Sequence, residues 1–151
     1  MTDRPIREAA RLIVLDDADR LLLFRFTAAG RQPFWATAGG AVDPGETFEE
    51  AARRELLEET GIDADPGAEV ARRESDFTTL HGADVRAVER YFVVRVSGEA
   101  ALDFSGHTDD ERVWMLSHRW WSLDELARMT ETVFPADIAA LVAEILETPR
   151  E

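Results

Sequence analysis

No cysteine occurs in the 151 residues, which removes disulfide frameworks, thiolate metal sites and cysteine nucleophiles together. Lysine is missing as well, so all 17 fixed cations are arginines, side chains suited to forked contacts with phosphate or carboxylate. Long apolar runs are lacking: Leu12–Leu15 and Leu21–Phe24 fall far short of a bilayer span, and the start Met-Thr-Asp-Arg-Pro has no signal-peptide profile. A cytoplasmic protein with no membrane partner is the expectation. Positive charge is scarce beside 31 acids, and a net charge of -14 opposes binding to a nucleic-acid backbone, which is gripped by basic patches. An anionic phosphate substrate would need metal ions to bridge it to such a chain. Repeats, low-complexity tracts and linkers are also absent. With 45% hydrophobic and 32% charged residues, the composition predicts one globular domain over 1–151.

What is present reads as alternating strands and helices. Residues 6–15 end in a β-branched apolar run, Asp16–Asp19 supplies turn chemistry, and 20–26 returns as the second strand of a hairpin. A short strand over 33–38 leads into the loop at Gly39-Gly40. Residues 68–79 predict a strand with Val70 and Phe77 facing inward, and 85–96 give the strongest strand pattern, the two forming a second hairpin. Thr108 and Glu111 have the spacing to cap a helical turn. Arg119-Trp120-Trp121 reads as a strand end, Ser122 as the cap of a helix, and Ile138, Leu141, Val142, Ile145 and Leu146 repeat at helical spacing in a final covering helix.

The most informative stretch runs from Gly39 to Ile62. Thr47 and Glu50 have the spacing of a capping box, and Gly61 fits the left-handed position that ends a helix. At about 100° per residue, Phe48, Ala51, Ala52, Glu55, Glu58 and Glu59 share one arc, with Leu56 at its edge. Glu49, Glu50, Arg53 and Leu57 occupy the opposite, solvated arc. Three carboxylates at i, i+3 and i+4 continue the face that the alanines bury, where they repel one another unless a cation lies between them. Hard divalent ions such as Mg²⁺ favour these oxygen donors. A merely solvated acidic face would put its charges on the other arc.

From Gly40 the fixed spacing is Gly, five residues, Glu46, seven residues, Arg54-Glu55-Leu56, one residue, Glu58-Glu59, one residue, Gly61-Ile62. On these nine positions the chain resembles a Nudix hydrolase, whose signature has that spacing. The resemblance implies an α/β Nudix fold, a mixed sheet sandwiched between helices. It implies that Glu55, Glu58 and Glu59 hold Mg²⁺ or Mn²⁺ together with the Gly40 carbonyl, and that Arg54 and Glu46 form a supporting pair, with Gly39, Gly45 and Gly61 shaping the backbone around them. The implied reaction is hydrolysis of a pyrophosphate in a nucleoside diphosphate linked to another group. The general base it implies is either Glu55 or a loop acid, for which Glu111, Asp110 and Asp109 are the candidates.

Beyond the motif the residues say less. Ala38 stands where the family often has proline, and Thr78 and Thr79 stand where ADP-ribose enzymes tend to have proline and dinucleoside-polyphosphate enzymes tyrosine. A (d)NTP pyrophosphatase is the first expectation, with an ADP-sugar or dinucleotide pyrophosphatase, or a sensor that binds a nucleotide without cleaving it, as alternatives. The resemblance also allows a homodimer. Phe34, Trp35, Phe77 and Tyr91 read first as core and second as base-stacking residues. Arg25 and Arg90 read first as surface or salt-bridged arginines and second as phosphate contacts, and His81, His107 and His118 as solvated loop histidines.

Overall fold

The computed structural model describes residues 4–27, 30–79, 81–97, 102–104, 106–107 and 115–147. Its strands are β1 (Ile6–Leu15), β2 (Leu21–Phe26), β3 (Phe34–Ala36), β4 (Ala38–Ala41), β5 (Glu69–Thr78), β6 (Asp84–Arg95), β7 (Met115–Trp121) and β8 (Thr132–Phe134). Its helices are α1 (Phe48–Thr60), α2 (Leu123–Ala127) and α3 (Ile138–Glu147). Among the described residues, no helix is long and apolar enough to cross a membrane.

β1 is the hub. Its apolar run pairs in parallel with β6 from Ile6↔Arg86 to Leu15↔Arg95, and β5 closes antiparallel on the far side of β6. The other edge of β1 is shared: β2 takes it at Leu15↔Leu21, and β4 takes it from Ala9↔Ala41 to Leu12↔Ala38. The turn into β2 works because the buried Asp16 carboxylate accepts from the Ala18 and Arg20 N–H groups at 3.0 and 2.8 Å, the local bonding that makes aspartate a turn residue. β7 and β3 pair antiparallel with β2, and β8 adds to β3 in parallel.

This mixed, eight-stranded sheet buries both faces, as the expected α/β architecture requires. Ala51, Ala52 and Leu56 of α1 pack on Ala10, Leu12, Phe24, Ala38 and Phe92. Against the opposite face, Leu126 of α2 and Ile138, Leu141, Val142 and Ile145 of α3 pack on Ile13, Leu23, Trp35 and Tyr91.

Two local expectations need correction. Val70 is 40% exposed rather than inward, because the β5–β6 register shifts between Glu69 and Ala71 and breaks the alternation there. Residues 38–41 form a paired strand rather than a loop, and β8, a three-residue strand, carried no pattern long enough to read. The capping turn read at Thr108–Glu111 lies outside the described residues.

Candidate active site

The acidic face of α1 is set by its two ends. The Thr47 hydroxyl accepts from the Glu50 N–H and the Glu50 carboxylate accepts from the Thr47 N–H, so the first turn is closed reciprocally. At the other end Gly61 has φ 78°, and its N–H donates to the Leu57 carbonyl at 2.9 Å. A Cβ on Gly61 would also come within 2.6 Å of the Asp103 Cβ, so the chain here requires glycine twice over.

Between these ends Arg54 gathers the acids. Its Nε and Nη2 make a forked pair with Glu46 at 2.7 and 2.9 Å, and Nη2 also donates to the Ala41 carbonyl at 2.9 Å. Its Nη1 is shared by Glu55 at 2.9 Å and Glu58 at 3.2 Å. The bond from Arg54 holds the Glu46 carboxyl below its usual range, and that bond, outweighing partial burial, holds the guanidinium above its own. Of the two i,i+4 partners open to Arg54, only Glu58 is used, since Glu50 is committed to the helix cap.

Glu59 takes a different route. Its side chain is buried, and its Oε2 accepts from the Gly39 N–H at 2.9 Å, on the edge of β4 that β1 leaves free. Glu55 and Glu59 are 8% and 3% exposed, so their carboxylates stand where a counter-charge acts in a poorly screened setting. Gly40 has no side chain to intrude: a Cβ there would lie 2.5 Å from Glu55 Oε1. Gly45 makes the turn before the helix with φ 83°.

Three carboxylates and a backbone carbonyl are the donor types that a hard divalent cation takes, and the absence of a side chain at Gly40 lets the Glu55 carboxylate approach the β4 backbone. In the geometry described, Glu55 and Glu58 turn to Arg54 instead. Among the described residues no group of three or more acids is already arranged around a metal position. Glu111, Asp110 and Asp109, the loop candidates for a general base, lie outside the described residues.

A cavity of about 530 Å³ opens on the sheet face opposite α1. Phe34, Phe77 and Phe134 give it apolar walls, while Arg11–Glu89 and Arg73–Asp137, each closed at 2.6 Å, are ion pairs on its lining. It reaches the acids through one register pair. Arg11 lies opposite Gly39, whose N–H holds Glu59, and the Arg11 Cδ sits 3.0 Å from the position a Gly39 side chain would begin. Burial works against the charge on Arg11, but Glu89 beside it, helped by Glu59, holds the guanidinium above its ordinary value. Burial and the Glu89 charge likewise raise the Tyr91 phenol.

The aromatic candidates divide. Trp35 is core, with its indole N–H donating to Glu131 at 3.1 Å, whereas Phe34 and Phe77 line the cavity and the buried Tyr91 borders it too. Arg25 is paired with Glu131 at 2.9 Å, and Arg90 lies over the Phe48 ring at 4.0 Å with Glu69 at 3.6 Å. His118 belongs to β7, not a loop, in an aromatic cluster with Phe24 and Phe104. The His107 ring nitrogen meets the Glu59 carbonyl at 2.8 Å. The reading from sequence missed Arg11 and Glu89. An arginine inside the otherwise buried run Ala9–Leu15 was the available signal.

Comparison with known proteins places this geometry in context. A profile of the NUDIX domain matches residues 5–142. An RNA pyrophosphohydrolase of Erythrobacter litoralis is 36% identical over 106 residues, covering 63% of each chain. The CTP pyrophosphohydrolase of Escherichia coli is 31% identical over 64% of this chain and 80% of its own. The chain thus spans less than two-thirds of the length of the Erythrobacter relative. Among solved structures, the MutT protein from Methanosarcina mazei superposes with a TM-score of 0.76 and 20% identity, over 98% of this chain and all of that one, a likeness of fold.

Proposed function

The chain belongs to the NUDIX family, and from that premise we propose that it is a Mg²⁺- or Mn²⁺-dependent pyrophosphohydrolase of small nucleotides. The observation that carries the reading is the convergence of Glu55 and Glu58 on one nitrogen of Arg54, with Glu59 buried beside them on the Gly39 N–H. Glu55, Glu58, Glu59 and the Gly40 carbonyl would hold the cation. Bound there, it supplies neutralisation of the diphosphate and a water of lowered pKa for in-line attack at phosphorus.

The protein's own part is positioning. Arg54, fixed by Glu46 and the Ala41 carbonyl, orients the carboxylates by charge-assisted bonds. The buried setting of Glu55 and Glu59 limits water around the reacting groups. Glu55 is the proposed general base, with Glu111 as the loop rival. If Glu55→Gln costs far less rate than Glu111→Gln, the base is on the loop.

The cavity supports a nucleoside as the group attached to the diphosphate. A volume of about 530 Å³ with aromatic walls, its Arg11 and Arg73 charges closed by Glu89 and Asp137, is that of a small-molecule site. A (d)NTP is the favoured substrate. The name of the Erythrobacter relative does not bring RNA to this chain, because a net charge of -14 opposes a polynucleotide backbone.

Release of phosphate or nucleoside monophosphate, measured with Mg²⁺ over (d)NTPs, ADP-ribose, NADH, dinucleoside polyphosphates, nucleotide sugars and a 5′-triphosphate RNA, tests the reading. Turnover of a (d)NTP is the expected result. Tight binding of one compound with turnover of none would make the protein a nucleotide sensor instead.

A further inference from the structure

A chain with 31 acids neutralises most of its arginines internally, so an arginine left without a carboxylate is informative. Around the cavity and the acid site, Arg11 is paired with Glu89, Arg25 with Glu131, Arg73 with Asp137, and Arg54 with Glu46, Glu55 and Glu58. Arg7 differs. It is half-buried on β1, and among the described residues its side chain makes no ion pair and no hydrogen bond.

Its place in the sheet is well defined. Arg7, Ala9 and Arg11 project from the same face of β1, the face that carries the cavity, because side chains alternate along a strand. β4 leaves β1 at Ala9↔Ala41 and the Val42 N–H donates to the Glu8 carbonyl, so Arg7 stands where the loop toward Glu46 departs from the sheet. It lies within electrostatic reach of Glu55 and Glu89, and of a second cation in Arg11. Burial and the neighbouring Arg11 charge lower the Arg7 pKa, the sign of a cation held in an unfavourable setting. Leaving a partly buried charge uncompensated costs stability, and an anionic ligand arriving beside it removes that cost.

We propose that Arg7 is a substrate-binding residue whose guanidinium takes the diphosphate oxygens that the acid-site cation leaves uncovered. The assignment rests on the hydrolase reading above for the identity of the anion. Its logic is one of charge: three glutamates and a diphosphate bring more negative charge to this corner than a divalent ion cancels. Of the other nearby arginines, Arg11, Arg25, Arg54 and Arg73 are committed to carboxylates, and Arg31 is held at the cavity by the Thr78 carbonyl and the Phe34 ring. A planar, forked cation suits phosphate oxygens, and Arg7 is available to supply one.

Calorimetric titration of inorganic pyrophosphate with Mg²⁺ into the wild type, Arg7→Gln and Arg7→Lys tests this, alongside steady-state kinetics on the best nucleotide of the panel. Arg7→Gln is expected to weaken pyrophosphate binding by about tenfold or more and to raise KM by a similar factor, the size of one charge-assisted contact, with a smaller change in kcat. Arg7→Lys keeps the charge and recovers part of both. The melting temperature of Arg7→Gln should equal or exceed that of the wild type, since an uncompensated cation has been removed. Unchanged pyrophosphate affinity and KM in a folded Arg7→Gln variant would overturn the proposal. So would a loss that appears only with a lowered melting temperature and that lysine does not restore. If the wild type hydrolyses no nucleotide while Arg7→Gln still loses pyrophosphate affinity, the hydrolase reading fails and the anion contact stands.

Discussion

The acid end of α1 and the cavity on the opposite sheet face are separated by little more than the width of β4, yet they are built in contrasting ways. The acid end comes from one contiguous stretch, and most of its side-chain and cap contacts stay within it: Thr47 to Glu50, Arg54 to Glu58, Gly61 to Leu57, and at the longest Glu59 to Gly39. The cavity draws on β1, β3, β5, β6 and the segment after β8, and its ion pairs Arg11–Glu89 and Arg73–Asp137 join distant parts of the chain. Under the proposed function, the first region is the place of reaction and the second the place of selection. A chain organised this way can change its substrate while its chemistry stays fixed.

The largest effect should come from the buried carboxylate. Glu59→Gln keeps an oxygen that can accept from the Gly39 N–H but loses the charge, so kcat should fall by about 10³-fold, roughly 4 kcal/mol, with little change in melting temperature. Near-normal turnover by this variant would break the division between the two regions. Gly40→Ala comes next, because its Cβ would stand 2.5 Å from the Glu55 carboxylate and force that flexible end to shift. A displaced carboxylate should cost about 10²-fold in kcat, checked by steady-state kinetics beside circular dichroism of the variant.

Phe77→Ala probes the other region. Removing one aromatic wall of the cavity should raise KM for a nucleotide about tenfold and leave kcat nearly unchanged. An equal fall in kcat would mean that the cavity also shapes the reacting geometry. The smallest effect concerns pH. The Arg54 bond depresses the Glu46 pKa in the folded state, so its contribution to stability is fully present above the unfolded glutamate value of about 4.3 and is lost as pH falls through the lower folded value. Urea midpoints measured between about pH 6 and 3 should therefore decline less steeply in Glu46→Gln than in the wild type.

The same contrast explains how much could be read from the sequence. Helix caps and an i, i+3, i+4 carboxylate face depend on spacing alone, so α1, its limits at Thr47 and Gly61, and the inward turn of Glu55 and Glu59 were legible. The partner of Arg11 was not, because Glu89 reaches it only through the parallel pairing of β1 with β6. Val70 was misjudged because a register irregularity is a property of two strands and leaves no mark on the alternation of one. β4 was hidden by its own sequence, Ala-Gly-Gly-Ala, which has the turn-forming composition of a loop and becomes a strand only through its pairing with β1.

The central claim is that the divalent cation is held by the carboxylates of α1 and not elsewhere on an acidic surface. Titration of Mn²⁺, followed by the electron paramagnetic resonance signal of the free ion, tests it on the wild type and on the Glu55→Gln, Glu58→Gln, Glu59→Gln triple variant. The account predicts loss of free signal with the wild type and an affinity weaker by at least about tenfold in the folded variant, as removal of metal ligands requires. Equal Mn²⁺ binding by the two proteins would contradict it.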